Sequence, residues 1–310
     1  MNSTSNLFNI VSYDRYYRGG NCLKVYISNY LSKSISILNY DSFKLEQEIV
    51  LEEGIYPHHF CINTDKNIMY IPSSNDGNLY ILDLLSNTIK DNISIGGSLS
   101  QITLCNRELF ISNEDSNSIY IIDEESLNPV GVIGVDEMPH GFDFNKYKNK
   151  LYVPCINSIL CIDTISKDII KKVDIDFKAW HIKLDKKRNE IYTSALDGKV
   201  VILDGETMTI KNVLEDFLLP VQISFSYKYR KIYIADLGYK SIKILDYDTG
   251  EYIGNIEVNG IPQGLEVTKD EETIFVSDTQ NNLIKIYKAS DNSFIKEVQV
   301  GKEPTTILCV

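Results

Sequence analysis

The chain repeats one pattern of hydrophobic and polar positions seven times. In each copy an aromatic residue lies between aliphatic residues and is followed by small polar ones, as in Leu109-Phe110-Ile111. The aromatic residues are Tyr26, Tyr70, Phe110, Tyr152, Tyr192, Tyr233 and Phe275. Their successive spacings are 44, 40, 42, 40, 41 and 42 residues. Short runs of this composition are typical of β-strands, so the pattern predicts one strand at the same place in each repeat.

A second apolar run follows each aromatic residue by about ten positions. In six copies this run ends in an acid or its amide, at Asn39, Asp83, Asp123, Asp163, Asp204 and Asp246. Ser or Thr comes three residues later in each of these copies. Asp and Asn side chains close turns by accepting hydrogen bonds from nearby backbone amides. We therefore interpret these residues as turn formers rather than as catalytic acids.

A third apolar run precedes each aromatic residue by about 13 positions, and in five copies it begins with Pro57, Pro139, Pro220, Pro262 or Pro304. A period of 40–44 residues with about four strands per repeat is typical of propeller blades, and sustained helical periodicity is absent. The sequence predicts an all-β, seven-bladed β-propeller with four-stranded antiparallel blades. We expect a single domain over residues 1–310, with a lead-in over 1–21 and seven repeats over 22–310.

The last apolar run indicates how the ring closes. The segment that starts at Pro304 has the form of a first strand, but no repeat follows it, whereas the repeat of Tyr26 has no such segment before it. We expect the C-terminal strand to pair with the first blade, which leaves no open sheet edge there. Cys309 would then approach the strand that holds Cys22. These two residues could form a disulfide. In the alternative, all six cysteines are reduced thiols.

The composition is that of an ordinary globular protein, with 43% hydrophobic and 24% charged residues. Lys and Arg number 31 against 43 Asp and Glu, which gives a net charge of −12. This acidity disfavours a nucleic-acid partner and an anionic membrane surface. The chain has no long apolar run and no signal-peptide pattern, so we expect a cytoplasmic monomer. The six cysteines include no CxxC pair, which argues against a structural zinc site.

The repeats resemble the YVTN-type β-propeller family over roughly residues 22–310. The motifs that carry the resemblance are Leu151-Tyr152-Val153, Ile244-Leu245-Asp246 and Gly260-Ile261-Pro262-Gln263-Gly264. The resemblance implies the propeller fold but no single function, because such folds carry unrelated activities. Some members bind DNA, a role that the net charge of −12 disfavours here.

The alternation of antiparallel strands brings two groups of polar residues to one mouth of the central channel. One group follows the start of the innermost strand of each blade, and the other follows the end of the second strand. Converging polar groups at a concave site predict a ligand site. The candidate ligand-binding residues are His59, Gln101, Trp180, Gln222, Gln263, Asn113, Asp236 and Asp278.

All four histidines of the chain, His58, His59, His140 and His181, fall in the two positions after the start of an innermost strand. Three interpretations remain open. The polar ring lines the channel without binding anything, or it binds a small molecule, peptide or protein with Trp180 as a stacking surface. In the third interpretation His58, His140 and His181 hold a divalent metal ion, since imidazole is a ligand of Zn, Cu, Fe and Ni.

An enzymatic alternative comes from the similarity to streptogramin-lyase-like propellers. Those proteins have seven blades and use a blade histidine, a Glu near the end of the following strand and a Mg ion. Here the residues fourteen positions beyond the histidines are Pro72, Pro154 and Ala195, and Glu114 is a substitute from another blade. We therefore expect a non-enzymatic binding or scaffold protein. A metal-dependent lyase or hydrolase is the alternative, and no catalytic residue is assigned.

Overall fold

A computed structural model describes residues 24–310, which form 28 strands and no helix. The considered disulfide between Cys22 and Cys309 lies outside the described residues. Among residues 24–310 no helix is long and apolar enough to cross a membrane.

The strands, numbered β1 to β28 along the chain, form seven four-stranded sheets, and each sheet is one blade. Blade 1 contains β28 (Pro304–Cys309), β1 (Lys24–Asn29), β2 (Ser34–Asn39) and β3 (Lys44–Val50). Blade 2 contains β4 (Cys61–Asn63), β5 (Ile68–Pro72), β6 (Asn78–Asp83) and β7 (Thr88–Ser94). Blade 3 contains β8 (Leu99–Cys105), β9 (Glu108–Asn113), β10 (Ser118–Asp123) and β11 (Pro129–Gly134).

The remaining four blades follow the same order from the axis to the rim. Blade 4 contains β12 (Asp143–Asn145), β13 (Lys150–Cys155), β14 (Ser158–Asp163) and β15 (Ile169–Asp174). Blade 5 contains β16 (Ala179–Asp185), β17 (Glu190–Ala195), β18 (Lys199–Asp204) and β19 (Ile210–Leu214). Blade 6 contains β20 (Pro220–Ser226), β21 (Lys231–Asp236), β22 (Ser241–Asp246) and β23 (Tyr252–Glu257). Blade 7 contains β24 (Pro262–Val267), β25 (Thr273–Asp278), β26 (Leu283–Lys288) and β27 (Phe294–Gln299).

The predicted all-β, seven-bladed architecture is confirmed, and so is its closure. The C-terminal strand β28 pairs antiparallel with β1, and Val25 lies opposite Cys309. Lys24 and Val310 exchange both of their backbone hydrogen bonds, each at 3.0 Å. Blade 1 is therefore built from both ends of the described chain, and this pairing joins the ring.

The core lies between neighbouring blades rather than within one of them. Phe110 of blade 3 packs in one buried cluster with Val153 of blade 4, and Tyr192 of blade 5 packs with Ile234 of blade 6. The second and third strands of each blade are covered on both faces, which explains why they are almost continuously apolar. The outermost strands, such as β3, are mostly exposed.

The predicted turn formers are confirmed. Asp204 Oδ1 accepts hydrogen bonds from the backbone amides of Glu206 at 2.8 Å and Thr207 at 2.7 Å. Asp246 makes the same pair of bonds with Asp248 and Thr249. These carboxylates close the turn between the third and fourth strands of their blades.

The pairing of the innermost strand with the second strand is irregular near the channel mouth. In blades 1, 3, 5, 6 and 7 the register shifts directly after the first pair, as at Pro262 opposite Asp278. In blades 2 and 4 the innermost strands β4 and β12 have only three residues each. A bulge leaves residues outside the regular pairing and changes the direction of their side chains. In blades 1, 3, 6 and 7 two residues lie between this first pair and the next, whereas in blade 5 only Trp180 does. These residues are therefore free to face the axis.

Closure by β28 is testable with one added cysteine. Val25 and Cys309 form the pair next to the hydrogen-bonded pair Lys24 and Val310, and hence a non-hydrogen-bonded pair. Such pairs have Cα atoms about 4.5 Å apart, which suits a disulfide. We expect Val25→Cys to form a disulfide with Cys309 under mild oxidation and to gain about 3 kcal/mol in free energy of unfolding. Non-reducing electrophoresis and thermal unfolding measure both effects.

The control is Val25→Cys combined with Cys309→Ser, which should show neither effect. Equal mobility and stability of the two variants after oxidation would contradict the pairing of the chain ends.

Candidate functional site

The backbone at the channel mouth is held by four serines of second strands, here called the bridging serines: Ser28, Ser112, Ser194 and Ser277. Each hydroxyl accepts a hydrogen bond from a backbone amide of its own blade at 2.5–3.3 Å, and the donors are Thr306, Gln101, His181 and Gly264. Each also donates to a backbone carbonyl of the next blade at 2.9–3.4 Å, and the acceptors are His58, His140, Val221 and Thr305. The hydroxyls thus connect blade 1 to 2, 3 to 4, 5 to 6 and 7 to 1.

The other three blades have no hydroxyl at the matching position. Pro72, Pro154 and Ala235 stand there in blades 2, 4 and 6. The bridging serines are not among the residues predicted from the sequence. Their signal is simple, since each lies two residues after the repeated aromatic residue of blades 1, 3, 5 and 7.

The four histidines meet at the axis. The ring centroids of His140 and His181 are 4.8 Å apart, those of His59 and His181 are 5.7 Å apart, and those of His58 and His59 are 4.3 Å apart. His59, His140 and His181 are buried, and one nitrogen atom from each lies within 4.8 Å of the other two. The predicted metal set named His58 in place of His59. In the structure His59 is the residue that brings its nitrogen close to those of His140 and His181.

His140 is held on two sides. Its Nδ1 lies 2.5 Å from Glu114 Oε1 and 3.0 Å from Ser100 Oγ, and its ring stacks on the Trp180 indole at 3.8 Å. Burial raises the pKa of Glu114, but hydrogen bonds from His140 and Ser100 outweigh it and hold that pKa below its usual value. The carboxylate is therefore ionised, so Nδ1 donates the proton and Nε2 faces away from this contact. Glu114 belongs to blade 3 and contacts His140 of blade 4. It is the residue named from the sequence as a substitute for the Glu of the lyase-like propellers.

The other three imidazoles have different partners. Gln263 donates its amide N–H to Nε2 of His58 at 3.2 Å, and Thr306 Oγ1 lies 3.0 Å from Nδ1 of His59. Nε2 of His59 is buried without a hydrogen-bond partner among residues 24–310. The ring of His181 lies against Gly141, where an added Cβ would come within 2.0 Å of Nδ1. Glycine is required at position 141 because the imidazole occupies the space of a side chain.

The surroundings disfavour protonation of three of these imidazoles. Burial, followed by the nearby His140, lowers the pKa of His58 to about 4. Burial and the other histidines also lower the pKa values of His59 and His181 well below the usual value. A protonated imidazole here would lose its hydration and face like charges. At neutral pH these three side chains are therefore uncharged nitrogen ligands.

The mouth is a cavity of about 250 Å³, and seven of the predicted residues line it: His58, His59, His140, Trp180, His181, Gln222 and Gln263. Thr305 and Thr306 complete its polar part, and its apolar part consists of Leu196, Leu219, Val221 and Leu237. No Lys or Arg is among these wall residues. The wall therefore combines apolar and hydrogen-bonding side chains.

The other four predicted residues do not line this cavity. Gln101 donates to the Phe142 carbonyl at 3.5 Å, and Asn113 donates to the Gly96 carbonyl at 2.8 Å. Asp236 accepts hydrogen bonds from four backbone amides, those of Leu218, Leu219, Gly238 and Tyr239. Asp278 pairs with Lys285 at 2.8 Å. In the structure these side chains stabilise the loops and strand ends around the mouth.

A larger groove of about 600 Å³ lies on the outside, between blades 5 and 6. Lys243 lies over the rings of Phe217 and Tyr239 there, at 4.6 and 4.7 Å from their centroids. The groove lacks the convergence of imidazoles seen at the mouth. The channel mouth is therefore the better candidate site.

The role of the bridging serines predicts a stability loss. Ser112→Ala leaves the Gln101 amide and the His140 carbonyl without this partner, so we expect a loss of about 2 kcal/mol in free energy of unfolding. Ser290→Ala, at an exposed turn, should stay within about 0.5 kcal/mol of the wild type. Urea unfolding measures both. Equal stability of the two variants would contradict the role of Ser112.

The lowered pKa of His58 predicts a pH dependence of stability. The unfolded chain takes up a proton at position 58 below about pH 6.5, whereas the folded chain takes it up only near pH 4. The contribution of His58 to the free energy of unfolding is therefore complete above pH 6.5 and is lost as the pH falls to 4. Between pH 7.5 and 4.5 we expect the wild type to lose about 2 kcal/mol more than His58→Gln, because the ring is only half-buried.

The groups that face His58 are Tyr30, His59, His140 and Glu114, and all of them are retained in His58→Gln. Urea unfolding of both proteins at several pH values isolates the contribution of His58 to stability. Parallel pH profiles would show that His58 titrates normally in the folded protein.

Comparisons with known proteins give the fold alone. No family model matches the chain, and no curated protein matches it. A solved protein from Lactobacillus plantarum has 11% identity and a TM-score of 0.79 over 94% of this chain and 100% of its own. A functionally unknown protein from Desulfotomaculum acetoxidans has 12% identity and a TM-score of 0.78 over 93% of this chain and 99% of its own.

Hydrazine synthase from Kuenenia stuttgartiensis is also similar in structure, with 11% identity and a TM-score of 0.73. That match covers 83% of this chain and 90% of the synthase chain. Proteins of different roles thus share the architecture, and together with the seven sheets of the ring these neighbours identify a seven-bladed β-propeller.

Proposed function

We propose that this protein is a binding propeller of the YVTN type, whose channel mouth takes a small, uncharged or cationic ligand. The observation that carries the proposal is the cavity wall. Trp180 and four aliphatic side chains form one part of it, and imidazole, amide and hydroxyl groups form the other. Such a combination of an apolar surface with a few placed polar groups is typical of small-molecule sites.

The charge of the site supports a neutral or cationic ligand. Glu114 is ionised and contacts His140, and no Lys or Arg lines the cavity. An anion entering this poorly solvated space would lie near the carboxylate behind His140, and no Lys or Arg of the wall would compensate its charge. A neutral ligand with hydrogen-bonding groups meets the amides of Gln222 and Gln263, which donate as well as accept.

The scaffold supports binding because it limits the motion of the wall. The bridging serines connect neighbouring blades through the backbone of the mouth positions. Side chains carried on a fixed backbone lose less freedom when a ligand binds, which favours affinity. A peptide or protein partner would place one side chain in the same cavity.

The lyase alternative receives less support. The Mg ion of lyase-type propellers requires oxygen ligands, whereas this mouth offers imidazole nitrogens at its centre. Glu114 is already paired with His140 and Ser100. We therefore propose binding rather than catalysis, with no nucleic-acid partner.

The proposal is testable with two molecules of equal size. Benzamide is neutral and benzoate is its anionic counterpart. Trp180, the single tryptophan of the chain, lies in the cavity wall, so its fluorescence reports occupancy directly. We expect benzamide to change the Trp180 emission in a saturable way and to bind at least about tenfold more tightly than benzoate.

A matched pair of variants locates the binding. Gln263→Leu, in the wall, should weaken benzamide binding about fivefold because one hydrogen-bonding group is lost. Gln299→Leu, at the rim of the same blade, should leave it unchanged. Equal affinity for benzoate, or equal effects of the two variants, would overturn the proposed site.

A further inference from the structure

The geometry at the axis points to a specific ligand of this mouth. We propose that His59, His140 and His181 together bind one divalent first-row transition-metal ion, for which zinc is the probe. This inference rests on the proposed function, because it names an ion that the same mouth would hold. It differs from the lyase comparison in the metal, and its ligands are three histidines with no carboxylate among them.

The first observation is the orphaned nitrogen of His59. Its Nε2 is buried without a hydrogen-bond partner among residues 24–310, while Thr306 Oγ1 lies 3.0 Å from its Nδ1. A buried polar atom without a partner carries a desolvation cost. A metal ion in the cavity would satisfy this nitrogen, and Thr306 would hold the ring in place.

The second observation is the carboxylate behind His140. Nδ1–H of His140 donates a hydrogen bond to Glu114, so the lone pair of Nε2 is the one that can bind a metal ion. Metal-binding histidines commonly donate their other N–H to a carboxylate, which fixes the ring and strengthens the ligand. Stacking on Trp180 at 3.8 Å restrains the same ring further.

The third observation is the spacing of the three nitrogens. They lie within 4.8 Å of one another. A tetrahedral zinc ion about 2.0–2.1 Å from each nitrogen would place them about 3.4 Å apart. Side-chain rotations that move the nitrogen atoms by about 1 Å would bring them to this spacing. No hydrogen bond opposes such a rotation of the His181 ring, because within the described chain this residue is bonded through its backbone, as to Ser194 Oγ, and not through its ring nitrogens.

The donor set decides the class of metal. Three imidazole nitrogens suit zinc, copper, nickel and iron, whereas magnesium and calcium require oxygen ligands. Three protein ligands also leave a fourth position for water or for a small molecule. His58 is outside the set, since its Nε2 already accepts a hydrogen bond from Gln263.

The test uses the full chain purified without a histidine tag and stripped of metal with EDTA. Calorimetric titration with zinc chloride should show one site per chain. His59→Ala and His181→Ala should each lower the affinity at least about a hundredfold. His58→Gln should lower it by less than about tenfold, because this side chain lines the mouth but supplies no ligand. Gln299→Leu, at the rim, should leave zinc binding unchanged. Thermal unfolding without metal shows that each variant is folded.

Two further variants test the arrangement without removing a ligand. Glu114→Gln should weaken zinc binding about tenfold to a hundredfold, because it loses the carboxylate behind His140. Gly141→Ala should weaken it as well, since the added methyl group displaces the His181 ring. Cobalt absorption spectra of the same proteins report whether the nitrogen ligands and geometry change.

Three outcomes would overturn the metal site. These are the absence of saturable zinc binding, undiminished binding in both alanine variants, and a loss in His58→Gln equal to that in His59→Ala. Benzamide titration in EDTA separates this inference from the proposed function. Benzamide binding without zinc binding rejects the metal ion alone, whereas the absence of both rejects the mouth as a site.

Discussion

The mouth of this propeller depends on hydrogen bonds that cross from one blade to the next. Strands within a blade satisfy each other, but the bulge at the start of an innermost strand leaves backbone groups without a strand partner. The hydroxyl of a bridging serine accepts from one such amide and donates to a carbonyl of the neighbouring blade. Because an unmade buried hydrogen bond is costly, these contacts fix the backbone that carries the histidines.

That arrangement determines which chemistry the axis can support. His59, His140 and His181 come from blades 2, 4 and 5, which are not all neighbours, yet their ring centroids lie 4.8–5.9 Å apart. Burial lowers the pKa values of His58, His59 and His181, so the site gathers nitrogen lone pairs rather than positive charges. Glu114 supplies an ionised group in contact with His140. A site of this kind favours cations and neutral molecules over anions.

The sequence predicts the fold more completely than the site. Period and strand character are set by local residue types, so seven blades, the Asp204-type turns and the closure by Pro304–Cys309 could all be predicted. The gathering of histidines at one mouth follows from antiparallel alternation alone. Which of His58 and His59 brings its nitrogen close to the other histidines depends on the backbone just before the short strand β4, and the hydrophobic pattern does not encode that backbone. Asp236 and Asp278 also look like ligands in sequence, but backbone amides and Lys285 satisfy them.

The number of blades has a consequence for the joint where the chain ends meet. Serine alternates around the ring with Pro72, Pro154 and Ala235, but a cycle of odd length cannot alternate throughout. Two serine-bearing blades must therefore be adjacent once, and they are blades 7 and 1. There Ser277 donates to the Thr305 carbonyl, while Ser28 bonds to the Thr305 hydroxyl and to the Thr306 amide. The odd number of blades therefore places the most hydroxyl contacts at blade 1, whose strands come from two separate stretches of the chain.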